Sequence, residues 1–268
     1  MFANDQYILV VNPAYLKDSW TAFPIDRLQR MKGLTALCLT TSSFGWVDTK
    51  KLADMNIIVT NIPDAPTQAV AEFNLYMMFS LLRKLPLIVK NNWKMDYDNF
   101  LNNEVRGLKV GIIGLGRIGT KVAELCSGLG LDVSYWNRSK KDSSYKSVSL
   151  EQLFVKSDVI FNTLATPPEL KGLINQDLLS KLNETTIVVC TSDTHVFDEA
   201  FILSQVAAGK LGGYAFESNE KKIGDFQGNV MVFPEQAYFT LGTQRNRAKI
   251  AIGTVLSIIN NKPINKVN

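Results

Sequence analysis

Histidine is almost absent from this chain: His195 is the one histidine among 268 residues. No cluster of histidines is therefore available for a metal, and the cysteines do not make up for it. Cys38, Cys126 and Cys190 have no metal-like spacing, and each sits in or beside an apolar run, as buried free thiols do. Such unpaired thiols fit a reducing cytoplasm. Basic runs and aromatic–basic interleaving are missing, which argues against a nucleic-acid partner. A charged N-terminal region followed by a long apolar stretch is also missing, so no signal peptide is expected. The longest apolar segment, Phe73–Leu82, is interrupted by Asn74 and Ser80 and is too short to span a bilayer. What is present is a globular composition: hydrophobic residues make up 46%, charged residues 20%, and the net charge is a mild +4. The length allows one large domain or two of ordinary size.

The most informative stretch is Lys109–Thr120, KVGIIGLGRIGT. Its apolar start reads as a buried parallel strand, and the glycines read as a tight turn into a helix. Gly114-x-Gly116-x-x-Gly119 has the spacing of a dinucleotide fingerprint. The first glycine permits the turn, the second lets backbone approach a pyrophosphate, and the third lets helix and strand pack closely. Arg117 and Ile118 open the helix, whose first amides and positive dipole end would face the phosphates. A helix over Lys121–Gly128 and a second strand over Asp132–Trp136 complete the context that the motif requires.

Before this stretch the chain alternates strand and helix, which indicates a parallel sheet. Strands are expected at Tyr7–Val11, Leu34–Leu39 and Ile57–Val59, with amphipathic or helical pieces at Ile25–Met31 and Val47–Met55. Thr67–Leu85 reads as a helix apolar nearly all round, belonging to an interior or to a domain or subunit junction. Asn91–Arg106 reads as a linker. Beyond it, strands at Val110–Ile113, Val133–Trp136, Val159–Leu164, Thr186–Cys190, Gly213–Phe216 and Val230–Phe233 make a doubly wound α/β sheet. Arg245–Asn260 is the last helix. A ligand is expected at the carboxyl ends of the strands.

Several segments together resemble the D-isomer-specific 2-hydroxyacid dehydrogenase family. They are Ile57–Pro63, Ala69–Glu72, Arg106–Gly119, Gly172–Asn175 and Asp198-Glu199, which occur in the family's order. The resemblance implies a Rossmann nucleotide domain over 91–245. It lies inserted in a smaller, N-terminally truncated flavodoxin-like domain over 1–90 and 246–268. It also implies a homodimer, a cover for the apolar helix. The family transfers hydride between nicotinamide and the C2 carbon of a 2-oxo or 2-hydroxy acid. It uses a His as proton donor, a Glu that holds this His, and an Arg that grips the carboxylate. Here the Arg position holds Asp193 and the His position holds Glu235. By count the Glu position holds Lys222, with Glu220 nearby. Asp193 offers only acceptors where a guanidinium would offer a donor fork. Losing the general acid alone costs about 10²–10⁴ in rate. The usual chemistry is therefore expected to be lost. The alternative is an oxidoreductase of altered substrate with His195 or Glu235 as acid; the plain reading of His195 is a polar loop residue.

The nucleotide side is better matched. Gly114, Gly116, Arg117, Ile118 and Gly119 form the implied cradle. Asn137, Arg138 and Ser139 follow the second strand, and an acidic residue for the ribose hydroxyls is missing there. Arg138, Lys140 and Lys141 suit a 2′-phosphate, so NADP(H) is favoured over NAD(H). Leu164 and Ala165 border the adenine or ribose in the resemblance, while Thr191 and Glu217 match positions that approach the nicotinamide. In the first domain the loop Thr41–Gly45 aligns with one whose amides hold the substrate carboxylate. There Trp46 replaces a common Asn and is bulky enough to narrow the pocket.

Overall fold

A computed structural model describes residues 6–13, 16, 23–164, 170–192 and 194–268. Asp193 and Ala165, both named above, lie outside the described residues. The chain divides into two compact units, Met1–Pro66 with Phe239–Asn268, and Thr67–Tyr238.

The smaller unit begins with β1 (Tyr7–Val11), α1 (Ile25–Leu28), β2 (Leu34–Leu39), α2 (Thr49–Asp54) and β3 (Ile58–Thr60). The strands pair in parallel in the order β1-β2-β3. Leu37, Leu39, Leu52 and Val59 form the core on one face of this sheet. Asp48 starts α2 by accepting the Lys51 N–H at 2.9 Å, which satisfies an otherwise orphan donor of the first turn.

The larger unit follows with α3 (Thr67–Leu82), α4 (Leu85–Lys90), β4 (Lys109–Ile113), α5 (Arg117–Gly128), β5 (Asp132–Trp136) and β6 (Lys146–Ser147). It continues through α6 (Leu150–Lys156), β7 (Val159–Asn162), α7 (Gln176–Leu179), β8 (Ile187–Cys190), α8 (Glu199–Ala207), β9 (Gly213–Glu217) and β10 (Val230–Phe233). Its seven strands are all parallel, in the order β10-β9-β8-β7-β4-β5-β6. Every residue of β7 and β8 is buried, as expected of strands covered on both faces. One face carries Val110, Ile112, Phe161 and Val189 beneath α3 and α5; the other carries Ile113, Ile160, Val188 and Tyr214 beneath α6 and α8. The last helix, α9 (Leu241–Ile259), belongs to the smaller unit, where Ile258 packs on Ala36 and Cys38 of β2.

The expected α/β architecture is therefore present, with differences in detail. The helix expected over Thr67–Leu85 stops at Leu82, because Lys84 turns into the left-handed region at φ 55°. Pro86 then sits in the first turn of α4, where its missing N–H costs nothing. Packing also groups residues 67–90 with the larger unit, whereas the sequence reading placed them with the smaller one. The reason is that α3 lies against α5, β8 and β9, with Met77, Met78 and Leu81 wholly buried. The cover that the sequence reading sought in a second subunit is thus supplied within the unit. The sheet has one more strand than the six expected, because the exposed pair Lys146–Ser147 aligns beside β5.

Candidate functional site

The order of the large sheet reverses at β4, which has β5 on one side and β7 on the other. In such sheets the crevice at the carboxyl ends of the two diverging strands is the ligand site. Gly114 leaves β4 at φ +96°, a conformation that disfavours any side chain. Its N–H donates to the Trp136 carbonyl at 2.8 Å, and its own carbonyl accepts from Thr163 Oγ1 at 2.7 Å. A Cβ on Gly119 would stand 2.1 Å from the Gly114 carbonyl oxygen and 2.7 Å from Thr163 Oγ1. The third glycine therefore lets α5 rest directly on the turn.

Gly116 is different. A Cβ there would meet nothing within 4 Å, and no side chain caps the helix that Gly116 begins. An exposed notch bordered by the uncapped first turn of a 12-residue helix fits a pyrophosphate. The cradle thus fits a dinucleotide on its own geometry. Arg117 is exposed at the first position of α5, and Ile118 packs half-buried on the core beneath. Leu164 is buried against the far side of Gly114.

At the end of β5, Asn137 turns inward: its Oδ1 accepts the Leu115 N–H at 3.1 Å, and its Nδ2 donates to the Ser139 carbonyl at 2.9 Å. Asn137 therefore braces the glycine turn from the neighbouring strand. Arg138, Ser139 and Lys140 are exposed, and no ion pair engages Arg138 among the described residues.

The ends of β7, β8 and β9 are held by a polar network that the sequence did not announce. Buried Asn162 donates to Ser192 Oγ at 2.8 Å, and Asn74 of α3 donates to Thr191 Oγ1 at 2.8 Å and to the Val70 carbonyl at 2.8 Å. Because an amide NH₂ only donates, the Thr191 oxygen acts as acceptor and its own proton points elsewhere. The Asn74 Oδ1 is buried with no partner among the described residues. Glu217, half-buried at the end of β9, accepts the N–H groups of Gln236 and Ala237 through one oxygen, at 2.7 and 2.8 Å. Burial pushes its carboxyl up, the two backbone bonds oppose this, and the charge of Glu235 adds to the rise.

The residues at the altered catalytic positions stand at separate points. Glu235 is exposed on the loop after β10, beside Glu217, with its backbone N–H on Asn219 Oδ1 at 3.1 Å. His195 is exposed in a short 3-10 turn, Thr194–Val196. It lines a groove of about 450 Å³ with Lys171, Gln176 and Asp198, near the starts of α7 and α8. Lys222 and Glu220 are exposed, with backbone N–H bonds to Asp225 and Ser218. The cysteines are all buried, and burial raises the thiols of Cys126 and Cys190 to about 12 and about 11. These thiols are structural, since a nucleophile needs a depressed value. Among the described residues no group of His, Cys, Asp and Glu side chains could hold a metal, and no helix is long and apolar enough to cross a membrane.

In the smaller unit, Trp46 packs edge-on against Phe23 with ring centroids 5.3 Å apart, and its indole N–H donates to the Ser43 carbonyl at 3.2 Å. It serves the core of that unit and pins the 41–45 loop.

Residues 75–229 match the family model described as D-isomer specific 2-hydroxyacid dehydrogenase, NAD binding domain. The chain is 28% identical over 230 residues to the hydroxyphenylpyruvate reductase of Plectranthus scutellarioides, a match covering 81% of this chain and 73% of that protein. It is 27% identical over 250 residues to a glyoxylate/hydroxypyruvate reductase of Arabidopsis thaliana, covering 89% and 77% of the two chains. The fold matches a solved D-2-hydroxyisocaproate dehydrogenase at a TM-score of 0.86 and 21% identity, covering 97% of this chain and 86% of that one. It matches an acyclic imino acid reductase in complex with NADPH and D-Arg at 0.84 and 24%, covering 97% and 85%. The glycine cradle lies inside the region matched to the NAD-binding domain. On these grounds the chain belongs to the D-isomer-specific 2-hydroxyacid dehydrogenase family.

Proposed function

We propose that this chain binds a nicotinamide dinucleotide, NADP(H) in preference to NAD(H), and has lost the family's usual hydride transfer on 2-oxo and 2-hydroxy acids. The observation that carries the reading is the contrast between the two halves of the site. The cradle of Gly114, Gly116 and Gly119 combines a left-handed turn, an open notch and a close helix contact, which support a pyrophosphate there. The position implied for the proton donor instead holds Glu235, an exposed carboxylate next to a second carboxylate, Glu217. The family's His and Arg offer donors to an anionic acid there, whereas side-chain carboxylates offer chiefly acceptors. Asp193 at the position implied for the Arg adds the same sign of charge.

Cofactor choice rests on Asn137 and Arg138. Asn137 spends both ends of its amide on the turn, and exposed Arg138 is left to meet a 2′-phosphate. Arg117, Ile118, Ser139, Leu164, Ala165, Thr191 and Glu217 complete the proposed contact set. A bound nicotinamide would supply a hydride donor or acceptor. Around it, Asn74 fixes the Thr191 hydroxyl, and Glu217 holds the 234–238 loop.

The test has two arms. Fluorescence titration with NADPH and NADH is expected to give saturable binding, tighter for NADPH. Turnover with glyoxylate, hydroxypyruvate and hydroxyphenylpyruvate, chosen from the names of the relatives, is expected to stay at background. Rapid reduction of any of these would overturn the loss of activity and favour His195 or Glu235 as acid. A homodimer is also part of the proposal. Trp93, Tyr97 and Leu101 are 72%, 86% and 84% exposed in the segment before β4, and they offer the apolar surface it would cover. Light scattering that gives a monomer at micromolar concentration would remove that part.

A further inference from the structure

The amino end of the large sheet holds a recess that the dinucleotide reading does not use. Its volume is about 360 Å³, within the range of small-molecule pockets, and it opens between α6 and the first residues of β4, β5 and β6. Two small residues shape it. Gly111 of β4 lets α6 lie close, since a Cβ there would stand 2.4 Å from Ser157 Oγ and 2.6 Å from Leu153 Cδ2. The register partner of Gly111 on β5 is Ser134, which leaves the sheet surface low beside the helix.

Charge distinguishes the recess. Lys109 opens β4, Lys146 opens β6 and Lys156 ends α6; all three line it, all are exposed, and none forms an ion pair among the described residues. Asp132, the register partner of Lys109, is the carboxylate of the lining, and it too enters no ion pair among the described residues. Neighbouring acids are engaged elsewhere: Asp158 Oδ2 accepts the Lys109 backbone N–H at 2.8 Å, and Glu151 pairs with Lys181 at 2.8 Å. Gln152 stands one turn before Lys156 on the same face of α6. Its Oε1 accepts the Ser149 N–H at 3.4 Å, which leaves its NH₂ as a donor. Ser134 Oγ donates to the Val110 carbonyl at 3.3 Å and keeps its oxygen as an acceptor.

Three ammonium groups and an amide NH₂ suit a phosphate, while a carboxylate and a serine oxygen suit sugar hydroxyls. We propose that this recess binds a phosphorylated sugar, with the phosphate among Lys109, Lys146 and Lys156 and the hydroxyls on Asp132 and Ser134. The sequence did not announce it, because these residues meet only through strand pairing and belong to no motif. The five residues of β4, about 16 Å of strand, separate it from the glycine turn at the other end, so it stands or falls separately from the function proposed above.

The probe is glucose 6-phosphate, titrated calorimetrically into the full chain at low salt. Saturable binding is expected at millimolar concentration or below, with inorganic phosphate and glucose each weaker by about 10-fold or more. Lys146→Met and Lys156→Met should each weaken glucose 6-phosphate roughly 5- to 30-fold, the value of a charge-assisted bond partly open to water. Lys210→Met, outside the recess, should leave it unchanged. Asp132→Ala should weaken glucose 6-phosphate while sparing or tightening inorganic phosphate, a split that mere loss of folding does not produce. Thermal melting is followed on each variant; if one lysine variant fails to fold, the other and Lys109→Met decide. No binding by wild type, or equal affinity in wild type and the folded lysine variants, overturns the proposal. Inorganic phosphate binding as tightly as glucose 6-phosphate overturns the ligand class. Saturating NADPH should leave the affinity unchanged, and displacement by NADPH overturns the location. Failure of NADPH to bind the wild type overturns the dinucleotide reading alone.

Discussion

Replacing Gly116 and Gly119 separately by alanine divides what the fold needs from what the ligand needs. Gly116 lies at φ −86° and ψ −163°, an ordinary extended conformation, and its Cβ would enter open space. Alanine gains about 0.4–1 kcal/mol from a stiffer unfolded chain and gives back a similar amount as a poorer helix cap. The melting temperature of Gly116→Ala should therefore move by no more than about 2–4 °C. The added methyl nonetheless occupies the notch where a pyrophosphate would approach. Overpacking a close contact costs about 1–3 kcal/mol, or roughly 5- to 150-fold in NADPH affinity. Gly119→Ala reverses the pattern. Its methyl would stand 2.1 Å from the Gly114 carbonyl oxygen, so α5 must back away from β4. A cost of about 1–3 kcal/mol or more then appears as a fall of several degrees in melting temperature. Scanning fluorimetry and NADPH titration on both variants supply the readout. NADPH binding by Gly116→Ala at wild-type strength would refute the cradle argument, as would unchanged melting of Gly119→Ala.

Three further expectations follow from the same geometry. Arg138→Ala should weaken NADPH about 10-fold or more while leaving NADH nearly unchanged, a split measured by parallel titrations; equal losses for both cofactors contradict the assignment. Asn137→Ala leaves the Leu115 N–H without its acceptor and should cost about 1–2 kcal/mol in denaturant unfolding, with both cofactors weakened; unaltered stability contradicts the bracing role. Burial holds the Glu217 carboxyl above its ordinary range, so the folded chain keeps this proton more readily than the unfolded one. The stabilisation it gives is complete at acid pH and is lost as pH rises from the ordinary Glu range through the raised value. Glu217→Gln keeps an oxygen for Gln236 and Ala237, so its melting temperature should fall less than that of the wild type as pH rises above the ordinary Glu range. Parallel melting curves for the two proteins would remove the argument.

The parts of the fold that were legible are those whose signal is local. β7 and β8 are unbroken apolar runs, and the glycine turn sits where a buried strand meets a helix start, so pattern alone located them. β6 was not legible because its residues are both exposed and only pairing with β5 makes them a strand. The start of α9 was placed at Arg245 rather than Leu241, since its signal is a side-chain bond, Thr240 Oγ1 accepting the Thr243 N–H at 3.1 Å. Asn137 was readable as a residue near the cofactor, but its bond to Leu115 joins positions 22 apart and belongs to no motif. Asn74 was invisible as a site residue for the same reason, since its partner Thr191 lies far along the chain.

The segment 265–268 has a practical bearing. Asn268 accepts the Val59 N–H through Oδ1 at 2.9 Å and donates to the Ile57 carbonyl through Nδ2 at 2.8 Å, extending the cover that residues 265–267 give β3, where the Val267 N–H donates to the Val59 carbonyl at 2.9 Å and the Asn61 N–H to the Asn265 carbonyl at 3.1 Å. Replacing Asn268 by alanine would uncover the Val59 N–H and the Ile57 carbonyl at the sheet margin. Preparations so altered should clump on storage before they lose helix content, because an open margin recruits other chains sooner than the core melts.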